Sequence, residues 1–169
     1  MIITAGKYKG RKLKAPKTHT RPSSSKVRES IFNMINVEEM RVLDLFAGSG
    51  IMGLEALSRS AKEVICVEKS FEVVKILKQN LEIAEAGATL IVGDSLKILD
   101  RVDKFDFIFI DPPYESGLYE PVLNKIKENG ILNEGGFIVV EHNCKTTIKS
   151  DFEVYKTKKY GDTCITILI

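Results

Sequence analysis

Tryptophan is absent from this 169-residue chain, and histidine nearly so, with His19 and His142 alone. Cysteine is sparse as well. Cys66, Cys144 and Cys164 are odd in number, far apart and without a C-x-x-C pair, so the usual zinc spacings are missing and no metal is expected. Two of the three lie in apolar, strand-like runs, which predicts buried, reduced thiols. No apolar stretch approaches the ~18 residues of a membrane helix, and Met1–Lys7 lacks the apolar core of a signal peptide. These absences point to a cytoplasmic protein without membrane or metal. With 44% hydrophobic and 28% charged residues, the composition suits one globular domain burying roughly 70% of its unfolded surface.

Acid is missing where base is abundant. Residues 1–28 hold nine Lys or Arg and no Asp or Glu, so the rest of the chain carries 16 basic against 23 acidic residues. A positive arm on an acidic body is the footprint of polyanion binding, because contacts to phosphates release counterions. Lys7, Lys9, Arg11, Lys12, Arg21 and Arg28 are the candidate contacts, with Tyr8 and His19 interleaved for stacking. A solvated basic surface remains open on charge alone. Gly6–Gly10 has turn chemistry between two short β-prone pieces, so residues 1–25 read as a basic hairpin extension and 26–169 as the main domain.

Beyond it, strands alternate with helices. A cap among Ser23–Ser25 starts a helix to about Asn33. Apolar strands are predicted at Val42–Phe46, Val64–Val67, Leu90–Val92, Phe105–Ile110 and Gly136–Glu141. Helices follow them through Leu54–Leu57, Glu72–Ala86, Ser95–Leu99 and Leu118–Asn129. Glu153–Lys159 and Cys164–Ile169, joined at Gly161-Asp162, read as a closing antiparallel hairpin. The fold class is therefore α/β: a doubly wound, Rossmann-like, mostly parallel seven-stranded sheet. His142 falls at the end of the fifth strand and is read as structural rather than as a base.

Ligands of such sheets bind at the carboxyl ends of the strands, where the chemistry-bearing residues gather. Gly48-Ser49-Gly50-Ile51-Met52-Gly53 fits G-x-G-x-x-G, and Glu68 lies 20 residues past Gly48, poised for ribose hydroxyls. That spacing alone admits a nicotinamide dinucleotide. Asp44, inside Asp44-Leu45-Phe46-Ala47-Gly48-Ser49-Gly50, argues against a pyrophosphate and for a cationic ligand such as S-adenosylmethionine. Phe46, Ala47, Ser49 and the pair Glu68-Lys69 complete the expected cofactor wall. Asp94 could accept from an adenine amine or cap the next helix, with the Ser95 amide on a ring nitrogen.

Asp111-Pro112-Pro113-Tyr114 closes the fourth strand. Two prolines make this backbone rigid and rich in acceptors that have no N–H of their own. The Asp111 carboxylate and a prolyl carbonyl suit both N–H groups of a planar amine, and Tyr114 suits stacking on its ring. By itself the tetrapeptide leaves adenine, guanine and glutamine open.

These loops are similar to those of class I S-adenosylmethionine-dependent amino-methyltransferases. Ala5–Arg11, Arg21-Pro22-Ser23, Val27–Asn33 and Lys159–Thr163 narrow the likeness, and the whole chain resembles the RsmD family. The resemblance implies a monomeric cytoplasmic enzyme that methylates the guanine N2 amine in 16S rRNA of the small ribosomal subunit. It implies catalytic roles for Asp111, Pro112, Pro113 and Tyr114. One position departs: Ser25 stands where the family has an acid. A DNA or RNA adenine-N6 methyltransferase, a nicotinamide-dependent oxidoreductase and a non-enzymatic RNA-binding protein are the alternatives.

Overall fold

Runs of β-branched and aromatic residues build the sheet, and the helices cover it on both sides. The computed structural model describes residues 1–16 and 23–169. In chain order the elements are α1 (Ser25–Met34), β1 (Arg41–Asp44), α2 (Ile51–Ser58), β2 (Glu63–Glu68), α3 (Phe71–Ala84), β3 (Thr89–Val92), α4 (Ser95–Ile98), β4 (Phe105–Ile110), α5 (Tyr119–Glu128), β5 (Leu132–Asn143), β6 (Val154–Tyr160) and β7 (Thr163–Leu168). The strand order is β3-β2-β1-β4-β5-β7-β6. β3, β2, β1, β4 and β5 run parallel, and β7 is antiparallel to both β5 and β6. The order reverses between β1 and β4, where a crevice opens at the carboxyl ends of the strands.

The strand period of two divides the core. Val42, Cys66, Phe107 and Val139 face α1 and α2, whereas Leu43, Val67, Ile108 and Val140 face α4 and α5. Residues 44, 109, 111 and 141 continue the first set. β5 begins earlier than the Gly136 expected, because Gly135-Gly136 is absorbed into an irregularity opposite Phe105–Phe107 rather than forming a turn. A side chain at Gly136 would approach the Asp106 carbonyl to 2.8 Å.

The basic N-terminus folds back as a short hairpin. Ile2 bridges Lys12, and Ile3 and Arg11 are joined by an N–H···O bond of 3.1 Å. Ile3, Tyr8 and Leu13 bury themselves against Ile51, Leu54 and Ala84 of α2 and α3. Gly6 (φ +78°) lies so close to α2 that a Cβ there would stand 1.7 Å from the Ser58 carbonyl oxygen.

Three expectations are corrected. Arg28 is neither an RNA contact nor a surface charge: it is 2% exposed, with Nη1 on Ser23 O at 2.6 Å and Nη2 on Ile2 O at 2.8 Å. It shares the buried stripe of α1 with Val27, Ile31 and Phe32. Tyr8 is also buried, and its ring is covered by the Lys7 and Arg11 side chains at 5.3 and 5.2 Å, so it cannot stack on a base. Cys144 and Cys164 form a disulfide rather than free thiols, because β7 brings Cys164 opposite His142. Cys66 remains a buried free thiol. Arg21 and His19 lie outside the described residues. Among the described residues, no helix is long and apolar enough to cross a membrane, and no His, Cys, Asp or Glu cluster of metal-binding size occurs.

Candidate active site

Four strand ends converge on one cavity of about 660 Å³. The turn after β1 supplies Asp44, Phe46, Ala47, Gly48 and Ser49. Glu68 and Lys69 follow β2, Asp94 and Ser95 follow β3, and Asp111, Pro112, Pro113 and Tyr114 follow β4. Of the cofactor-wall candidates only Gly50 stands back, as the left-handed N-cap of α2 (φ +80°).

Carboxylates shape the glycine loop. Gly53 donates its N–H to Asp44 Oδ2 at 3.1 Å, and Gly48 donates to Glu68 Oε2 at 2.9 Å. The other Glu68 oxygen takes the Lys69 and Ser70 amides at 2.8 Å each. Gly53 is required for contact: a Cβ there would lie 2.7 Å from Cys66 Sγ. Loop amides that would cradle a pyrophosphate are thus already turned toward acids, and Asp44, Glu68, Asp94 and Asp111 ring the same cavity. This arrangement disfavours a dinucleotide phosphate and favours a cation.

Asp44 is 1% exposed, and its Oδ1 has no hydrogen-bond partner. Burial first, then the charge of Glu68, pushes its carboxyl up to about 7 against the Gly53 N–H. Asp111 is held well above the usual carboxylate range by burial and by Glu141 and Asp44. An unpartnered buried acceptor is costly unless something supplies a donor. Asp94 caps α4 by accepting the Leu96 N–H at 3.1 Å, and its other oxygen pairs with Lys69 Nζ at 3.0 Å. Ser95 uses its hydroxyl on the Leu45 carbonyl at 2.9 Å. The Pro113 carbonyl closes the turn by accepting from Ser116 N at 2.9 Å. Tyr114 stands at the rim, 47% exposed.

His142 has both ring nitrogens engaged. Its Nδ1 donates to the Asn143 carbonyl at 2.9 Å, so in the neutral ring Nε2 accepts from Thr166 Oγ1 at 2.9 Å. Burial lowers its pKa, as the structural reading requires. Lys7, Lys9 and Lys12 are exposed on the hairpin, whereas Arg11 is tied to the end of α3 through the Ile83 carbonyl at 3.1 Å.

Sequence reasoning missed two buried residues. Glu55, fully buried in α2, accepts from the Thr4 amide and hydroxyl and the Ala5 amide, and pairs with Arg59 and Arg28. Asn80 of α3 receives Lys14 N at 2.7 Å and donates to Ser49 O at 2.9 Å, joining the N-terminal segment to the glycine loop. A lone acid in the otherwise apolar Ile51–Leu57 stretch was the available signal for Glu55.

The family described as "Conserved hypothetical protein 95", the RsmD family, matches residues 1–169. The chain belongs to this family. Its relatives include Ribosomal RNA small subunit methyltransferase D of Escherichia coli (strain K12), 33% identical over 94% of this chain and 84% of the relative. The protein of the same name from Haemophilus influenzae is 37% identical over 82% of this chain and 77% of its own length. Among solved structures, the yhhF chain of Escherichia coli superposes with a TM-score of 0.88 at 32% identity, covering 99% and 96% of the two chains. At 99% coverage, the superposition on the yhhF chain takes in the N-terminal hairpin as well as the sheet.

Proposed function

We propose that this chain methylates the exocyclic N2 amine of a guanine in 16S rRNA, using S-adenosylmethionine, on the small ribosomal subunit in the cytoplasm. The observation that carries the reading is the joint placement of Asp44, with its unpartnered buried Oδ1, and Asp111 in one cavity. The relatives' names supply the RNA: they are small-subunit rRNA methyltransferases.

The residues fit the donor. Asp44 Oδ1 calls for a cationic hydrogen-bond donor, and the methionine ammonium is one. Glu68 suits the ribose hydroxyls, and Asp94 and the Ser95 amide suit the adenine edge. Bound there, S-adenosylmethionine supplies a methyl group on a positively charged sulfur. The protein's own part is positioning and electrostatics. Asp111 and the Pro112 carbonyl accept the two amine N–H groups, and Tyr114 stacks on the base. The acids around the cavity stabilise positive charge growing on the nitrogen. Its raised affinity for protons also suits Asp111 to take the proton that the methylated amine releases. Duplexed or stacked bases cannot reach such a pocket, so the guanine must be splayed out, with exposed Lys7, Lys9 and Lys12, and Arg21, holding the surrounding phosphates.

The deciding experiment offers labelled donor to small subunits, naked rRNA and DNA from cells lacking the gene, then maps the labelled base. Label on guanine N2 of 16S rRNA is expected. Label on adenine would replace the substrate, and binding without label would remove the enzyme.

A further inference from the structure

Asp111 does not stand alone at its strand end. β4 and β5 pair Phe109 with Val139 and Ile110 with Val140 in parallel register, so Asp111 and Glu141 follow as neighbours on strands about 4.8 Å apart, on the same face of the sheet. Glu141 is 4% exposed and accepts from Ser23 Oγ at 2.5 Å. The Ser23 carbonyl accepts from Arg28 Nη1 at 2.6 Å, and Arg28 Nε lies 3.7 Å from Glu55 Oε2. Glu55 in turn holds the Thr4 and Ala5 amides of the hairpin. Glu55, Arg28, Ser23 and Glu141 are 0, 2, 5 and 4% exposed, so one buried polar row runs from the hairpin to the amine grip.

Placing a second buried acid beside Asp111 costs stability, and an apolar residue of similar size would avoid that cost. We propose that Glu141 is a positioning residue for methyl transfer, held by Ser23 and Arg28 so that the N-terminal hairpin and the Asp111 carboxylate share one rigid support. The role rests on the methyltransfer reading above. Glu141 fills the β5 side of Asp111, which lines the cavity, and the Ser23 hydroxyl keeps Glu141 from swinging away. Among the described residues, Asp44 from β1, Arg28 from α1 and Tyr119 from α5 are charged or titratable groups facing this pair, and Tyr114 in the adjoining loop lies near Tyr119.

The test measures Glu141→Gln and the pair Ser23→Ala and Ser23→Thr. Glu141→Gln should lower kcat by about tenfold to 100-fold, with little change in KM for the RNA or in S-adenosylhomocysteine affinity. In the donor-free chain, the ¹³C titration midpoint of the Asp111 carboxyl should fall on replacing Glu141, whose proximity helps to hold it up. Ser23→Ala should lose kcat several-fold, and Ser23→Thr should restore it. A wild type that labels rRNA while Glu141→Gln keeps both its kcat and its Asp111 midpoint overturns the positioning role and leaves the reaction standing. A wild type that labels no RNA overturns the reaction, which is a separate result. If circular dichroism finds Glu141→Gln unfolded, the Ser23 pair decides, and equal turnover in Ser23→Ala and wild type overturns the role.

Discussion

The seam between the N-terminal hairpin and α2 and the cavity at the strand ends both bury carboxylates, and they treat them in opposite ways. Glu55 in the seam is fully buried and surrounded by donors: two amides, a hydroxyl and two guanidinium groups. Asp44 in the cavity is equally buried, yet one of its oxygens has no partner. The first arrangement ties the hairpin to α2, because both Glu55 oxygens meet donors, although Arg28 Nε beside them makes no hydrogen bond. The second stores an unmet demand that a ligand can satisfy. Burial alone does not separate a structural acid from a functional one; the census of donors does.

That contrast can be broken at several points. The largest effect is expected at Asp111, where replacement by Ala should cut methyl transfer about 10³-fold while leaving S-adenosylhomocysteine binding intact. Labelled-donor assays and calorimetry measure the two separately, and near-normal turnover would sink the amine-grip assignment. In the seam, Glu55→Ala leaves buried Arg28 without its ion-pair partner and should cost roughly 3 kcal/mol of stability in chemical denaturation. An unchanged midpoint would mean that the seam does not carry the hairpin.

Asp44→Asn should do the reverse of Glu55→Ala: lower donor affinity by about tenfold, ~1.4 kcal/mol, without unfolding the chain. Its effect on pH dependence has a definite sign. The folded carboxyl titrates near 7 against an ordinary value of 3.8, so the folded state keeps a proton that the unfolded chain releases. Stability from this group therefore falls as pH rises from about 4 to about 7. Asp44→Asn should flatten that slope in thermal denaturation, and an unchanged slope would contradict the burial argument. The smallest effect belongs to the exposed hairpin. Lys9→Gln and Lys12→Gln should each reduce the salt slope of RNA binding by about one, while stability stays within about 0.5 kcal/mol. Slopes that do not move would take the hairpin out of the RNA interface.

Much of the architecture was legible because its signals are local. Phe105–Ile110 is apolar except at Asp106, and the strand ends at Ile110, one residue before Pro112-Pro113. Ser24 caps α1 through the Val27 amide, as the serine cluster foretold. β5 was misjudged at its start because Gly135-Gly136 reads as a turn in isolation, and only the register against β4 reveals an irregularity. Charge and composition alone point to Arg28 and Tyr8 as RNA contacts. Both are buried by partners dozens of residues away or by a packing face that composition does not encode. The Cys144–Cys164 bond likewise depends on β7 returning antiparallel beside β5.

The chain's own pattern of residues decides that strands and helices alternate, that glycines follow β1, and that a rigid acid-bearing turn ends β4. Those features rest on backbone preference and side-chain periodicity, which act over a few residues. Only the tertiary structure decides which acids are satisfied. Glu55 meets Thr4 across 51 positions and Glu141 meets Ser23 across 118, and no local rule links such partners. Folding spends donors on Glu55 and leaves Asp44 Oδ1 without one, and this difference marks the cavity as the place for a ligand.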